Sequence, residues 1–147
     1  MKYITSQFSK YLDLLKKEIS FYDHQSSLWL LRGEIKNTPG NLALHICGNL
    51  RHNIGAVLGG TGYIRNRDKE FSDTDLTKEA LLAEIQKTID EVIPILDSLT
   101  PEKMAATFPE STHGENQTVN DALVRLALHM GYHVGQINYH RRILTEL

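Results

Sequence analysis

Apolar residues recur at intervals of three and four along four stretches of this chain, and every strong periodic signal is that of an amphipathic helix. The first stretch covers about residues 4–23, where Ile4, Phe8, Tyr11, Leu12, Leu15, Ile19 and Tyr22 share one face. The second runs from Asn41 to Leu58, preceded by Pro39-Gly40 and closed by Gly59-Gly60. Proline before a helix and glycine after it are the expected start and stop signals. Leu42, Ile46, Leu50 and Val57 mark the buried side of this second helix, with Asn53 in the same sector. The third begins near Thr77 and carries Leu81, Leu82, Ile85, Ile89, Val92, Leu96 and Leu99, with Pro94 expected to kink its last turns. The fourth opens at Thr118, where Asp121 three residues on resembles a capping box, and continues to about Thr145. Its stripe is Val119, Ala122, Leu123, Leu126, Met130, Val134 and Ile137.

Four long amphipathic helices in a chain of one-domain size predict an all-α four-helix bundle spanning residues 1–147. The connections, residues 24–40, 59–76 and 100–117, are longer than antiparallel neighbours need. Such lengths let a connection cross the bundle, so helices two and three need not be antiparallel. The apolar run Ser27-Leu28-Trp29-Leu30-Leu31 falls in the first connection and is expected to cap one end. Ile54 and Tyr139 remain outside the assigned stripes. Left-over apolar residues point to a homodimer, symmetric dimers being the commonest assembly.

The fourth helix carries the candidate chemistry. His129 and His133 stand four residues apart, one turn along one face, at the flank of the apolar stripe. An imidazole facing the interior needs a partner, because an unsatisfied buried polar group costs roughly 1–3 kcal/mol. Met130 occupies the place where a His-Glu-x-x-His zinc protease carries its general base, so that class is disfavoured. On the second helix His45, Asn49 and His52 align beside the buried face. One histidine from one helix and two from another can build a three-nitrogen metal site in a bundle. His52 competes with His45, but an exposed or interhelical hydrogen-bonding role suits it better. His140 and His52 are expected near the site without ligating, and Asn49, Tyr132 and Gln136 are expected around it.

The segments Gly40-Asn41-Leu42-Ala43-Leu44-His45-Ile46-Cys47-Gly48-Asn49-Leu50-Arg51 and His129-x-x-Tyr132-His133-x-Gly135-Gln136-Ile137-x-Tyr139-x-Arg141-Arg142 resemble those of the DinB-like (YfiT-type) superfamily of four-helix proteins, and within it a DUF1572-type branch. The resemblance extends over nearly the whole chain and is most specific in the last helix. It implies an up-down-down-up order of helices and a homodimer. It also implies a divalent metal held by three histidines, which fall here on His45, His129 and His133. Some relatives are implied to be S-transferases or isomerases using a low-molecular-weight thiol, others metal-dependent hydrolases.

Composition narrows the setting. The formal net charge is -2 with both signs interspersed, and no basic block marks a nucleic-acid binder. The pairs Arg65 with Arg67 and Arg141 with Arg142 read as solvated surface charge. The single cysteine, Cys47, permits no intrachain disulfide and fits a reducing compartment. It sits about 160° around the helix from His45 and should be a small core residue rather than a nucleophile. No apolar run suggests a signal peptide or a membrane span, so a cytoplasmic protein without membrane or nucleic-acid partners is expected.

Neutral imidazoles suit Zn²⁺ and Ni²⁺ better than Mg²⁺ or Ca²⁺. Three of them add no charge, which leaves the ion able to acidify a water or a thiol. The expected function is therefore a metal-dependent enzyme, S-transferase-like or hydrolase-like, acting on a small molecule. The alternative is a non-catalytic metal-binding or stress-associated protein, whose site His52 or His140 would close. No carboxylate falls on the histidine faces as a general base. The segment 108–116 precedes the fourth helix as a possible rim, with His113 and Glu115 in it.

Overall fold

The structure is a computed structural model that describes residues 2–110 and 116–145. Helix α1 spans Lys2–Ser20. Helix α2 runs as an α-helix over Pro39–Leu50 and continues without a break as a π-helix over Arg51–Leu58. A short α3 follows at Arg67–Ser72, then α4 at Lys78–Asp97, a short α5 at Pro101–Ala105, and α6 at Val119–Thr145. The described residues contain no strand, only an isolated antiparallel bridge between Thr107 and Thr118.

Helix directions follow from which ends meet. The amine of Lys78, at the start of α4, donates to the carbonyl of Tyr22 just past the end of α1, so these two run antiparallel. Glu18 near the end of α1 accepts from Asn138 and Arg141 near the end of α6, so these two run parallel. His45 on α2 meets His129 on α6, while Leu42, earlier in α2, shares a cleft with Ile137, later in α6; this pair is antiparallel. The order is thus up-down-down-up. Helices α1 and α2 occupy opposite corners, each packed on α4 and α6. The core between them contains Phe8, Leu12, Leu15, Ile46, Leu50, Ile85, Leu123 and Leu126, all essentially inaccessible.

Side-chain caps fix the starts of the helices. Thr38 precedes Pro39 and its hydroxyl accepts from the amide of Asn41, while Thr77 does the same for Ala80. The Thr118–Asp121 pair forms the expected reciprocal cap: Asp121 N–H donates to the Thr118 hydroxyl, and Thr118 N–H to the Asp121 carboxylate. The first helix stops at Ser20, three residues short of the expected end. Helix α4 continues through Pro94 to Asp97.

Two expectations about the surface are corrected. Ile54 is not left over: its exposure is 0%, while Val57 is only half-buried. A π-helix bonds each residue to one five along and turns less per residue than an α-helix. Seven residues beyond Leu50 therefore no longer complete two turns, and Ile54 takes the core position instead. Arg141 and Arg65 are not free surface charges either. Arg141 donates to buried Glu18 at 2.7 Å, and Arg65 donates to buried Glu70 at 2.6 Å.

The long connections carry structure of their own. Residues Gln25–Trp29 form a 3-10 turn that buries Leu28. The Trp29 ring lies against Gly40, where any Cβ would overlap it, and its indole N–H donates to the Leu76 carbonyl. This agrees with an end-capping role for the run. The side-chain amide of Asn41 donates to the carbonyls of Glu70 and Asp73, fastening α3 to the first turn of α2.

Candidate metal centre

His45 projects from the middle of α2 and is buried, whereas His129 and His133 on α6 are half-buried. Their rings face one another, with centroids 5.0 Å apart for His45–His129, 5.2 Å for His45–His133 and 4.5 Å for His129–His133. The Nε2 atom of His129 lies 3.2 Å from that of His45 and 3.1 Å from that of His133. Tetrahedral ligands bonded at 2.0–2.1 Å sit about 3.3 Å apart, so both distances from His129 are those of ligands sharing one ion, and the three ligand atoms all lie within 4.8 Å of one another. Among the described residues this is the group of histidine, cysteine and acidic side chains that can hold a metal.

The protons support the same reading. His45 Nδ1–H donates to Glu70 Oε2 at 2.9 Å, and His133 Nδ1–H donates to Gln136 Oε1 at 2.6 Å. In the tautomer with Nδ1–H donating, an imidazole presents a lone pair at Nε2. Two lone pairs thus face the Nε2 of His129, which has at most one proton to offer. A cation among the three nitrogens satisfies them all. A proton serves poorly, because burial first, then the neighbouring His133 and His45, pushes the His129 pKa down to about 4. Burial likewise lowers that of His133. The His129 and His133 rings therefore stay neutral, as ligands must.

Glu70 was not foreseen. It lies on α3, in the connection between α2 and α4, and is itself buried. Burial pushes its carboxyl pKa up, but the hydrogen bonds from Arg65 and His45 outweigh that and keep it ionised. Arg65 grips it with two bonds, Nε to Oε1 at 2.6 Å and Nη2 to Oε2 at 2.8 Å. The carboxylate reaches His45 only because Gly48, one turn on, has no side chain: a Cβ there would collide with Glu70 Oε1. A six-residue helix is too short for hydrophobic periodicity to reveal. The signal available in the sequence was Asn66 before Arg67, a helix cap that bonds the Lys69 amide, with Asp68 and Glu70 in the first turn.

The other expected neighbours divide. Gln136 contacts the triad through His133, and the Tyr132 ring packs edge-on to His133 at 5.3 Å while remaining largely exposed. Asn49 follows His45 by one turn, and its Oδ1 is buried without a hydrogen-bond partner. His52 and His140 are not members of the group that can hold the ion. His52 Nε2 pairs with Glu110 at 2.9 Å. His140 bonds the Tyr22 hydroxyl through Nδ1 and the Leu30 carbonyl through Nε2. Seven residues of helix place it about 10 Å along the axis from His133. Cys47 is buried and its thiol shares a hydrogen bond with Thr88 on α4. His113 and Glu115 lie outside the described residues.

A family described as "Protein of unknown function (DUF1572)" matches residues 1–146 of the chain. The crystal structure of a DinB-like protein from Bacillus cereus superposes with a TM-score of 0.76 over 99% of this chain and 93% of that one, at 16% identity. No curated protein matches the chain. The architecture is thus the DinB-like all-α fold, and the chain belongs to the DUF1572 family.

Proposed function

We propose that the protein binds one divalent transition metal, zinc or nickel, through the Nε2 atoms of His45, His129 and His133, and uses it in an enzymatic reaction on a small molecule. The observation that carries this reading is the meeting of three Nε2 atoms that share too few protons to satisfy one another. When bound, such an ion supplies a Lewis acid that acidifies a water or a low-molecular-weight thiol. Hydrolase-like and S-transferase-like chemistry both use that property.

The chain's own groups have separable tasks. Glu70 holds the His45 ring in one orientation and raises its donor strength. Gln136 does the same for His133 through its carbonyl, which leaves its amide N–H groups free to donate. Asn49 Oδ1 offers an acceptor to an N–H, O–H or S–H of a molecule at the site. His52 and His140 are engaged elsewhere, which supports an open site over the closed four-ligand site of a purely structural metal.

Metal content tests the reading. Wild-type protein reconstituted with zinc or nickel and freed of excess metal should retain about one ion per chain, and His45→Ala, His129→Ala and His133→Ala should each lose it. Full retention by the three variants, or no metal in the wild type, sinks the assignment.

We further infer a homodimer. Tyr3 on α1 and Val124, Leu128 and Tyr132 on α6 leave an apolar groove of about 750 Å³ open to solvent, and a second copy of the chain would cover it. Sedimentation should show a dimer that Leu128→Glu dissociates; a monomer at high protein concentration overturns this. No helix among the described residues is long and apolar enough to cross a membrane.

A further inference from the structure

We propose that the cleft between residues 34–39 and the last turns of α6 binds the body of an uncharged carbonyl compound with an apolar aryl or alkyl group, its carbonyl directed toward Gln136. As a substrate cleft it rests on the metal-site reading; as a binding site it does not. The cleft has a volume of about 560 Å³, within the range of small-molecule sites. Pro39, Leu42 and Ile137 line it, and the partly exposed Tyr139 and Ile143 form its outer wall.

Its polar side chains are Glu34, Lys36, Asn37, Gln136 and His140, and where they stand selects the ligand. His140 lines the cleft, but both its ring nitrogens are occupied, by Tyr22 and by the Leu30 carbonyl. Glu34 and Lys36, also among the lining residues, carry opposite charges and give no net attraction for an ion. Gln136 stands where the cleft meets the triad. Its Oε1 is taken by His133 at 2.6 Å, so what it presents to a ligand is an N–H donor. That donor, at the end of the cleft that meets the triad, fits a neutral acceptor such as a ketone, ester or amide oxygen, while Pro39, Leu42, Ile137 and Ile143 receive the apolar body. A carbonyl is also what both hydrolysis and thiol addition require at the reacting end.

The test is an NMR titration of ¹⁵N-labelled protein with 4-phenylbutan-2-one, which has an aryl body and a carbonyl but no reactive double bond. Propylbenzene, which lacks the acceptor, is the control. Both are titrated into metal-free and zinc-loaded protein. We expect saturable binding of the ketone, with shifts centred on residues 35–37, 42 and 137–143. Ile143→Glu should weaken both ligands by about tenfold or more at an unchanged thermal midpoint, since Ile143 is 48% exposed and its replacement leaves the core intact. Gln136→Leu should weaken the ketone by about fivefold and leave propylbenzene unaffected, the effect of losing one hydrogen bond. Absence of saturable binding, shifts elsewhere, or an unaltered Ile143→Glu overturns the cleft; equal loss or no loss of both ligands in Gln136→Leu overturns the carbonyl assignment. Ketone binding without zinc uptake would leave the cleft standing and remove the metal reading, whereas zinc uptake without ketone binding would do the reverse.

Discussion

Glu70 Oε2 lies 2.9 Å from His45 Nδ1, and this contact joins the crossing between α2 and α4 to the centre of the molecule. A carboxylate behind a histidine fixes the ring, sets its tautomer and strengthens the opposite nitrogen as a donor. The bidentate Arg65 holds the carboxylate in turn, so the arrangement exists before any ion arrives.

Replacing Glu70 by Gln should therefore leave the three histidines in place and weaken zinc by roughly 10–100-fold, the usual cost of losing such a partner. Competition with a chromophoric chelator measures this. Unchanged affinity would show that Glu70 serves only to fasten α3.

Gly48→Ala tests the same contact from the other side. In an exposed helix, alanine in place of glycine favours the helix by about 1 kcal/mol. Here the added methyl would occupy the space of Oε1 of the Glu70 carboxylate, a group that two bonds from Arg65 and one from His45 hold in place. Zinc affinity should fall in parallel with Glu70→Gln, and the double variant should be little worse than either single one.

Acid should act on the metal-free protein through His129. Its pKa is held near 4 in the fold, against an ordinary value of 6.5. Between those values the unfolded chain takes up a proton that the folded chain refuses, so stability falls as pH drops through this window and levels below it. Thermal midpoints of the metal-free wild type should decline more steeply from pH 7 to 4 than those of His129→Asn. Parallel slopes would show that other groups govern the acid limb. With zinc bound, acidification should also release the ion, because protonated imidazole cannot ligate.

Cys47 should be inert in the native protein. Its thiol is buried, and burial pushes its pKa up to about 12 despite a hydrogen bond with Thr88. A thiol-reactive dye should label it only after denaturation, with or without metal. Rapid labelling of the folded chain would contradict the core position.

The four long helices and most of their buried faces are legible in the amino-acid order, because burial on one side of a helix imposes a period that residues such as Leu123, Leu126 and Met130 display directly. That order also placed His45 on one helix and His129 with His133 on another, since positions four apart share a face whatever the tertiary context. Which histidines meet depends on how the helices pack. His52 and His140 lie on the same two helices, yet Glu110 takes one, while Tyr22 and the Leu30 carbonyl take the other. The tertiary structure alone brought in Glu70 and Arg65, from a connection whose single short helix is too brief for periodicity to show. It also buried Ile54, because the π-helical segment turns less per residue than the α-helical count assumes. Local patterning records which face an element buries; contacts between distant segments depend on how the crossings fold over that face, and no local period encodes them.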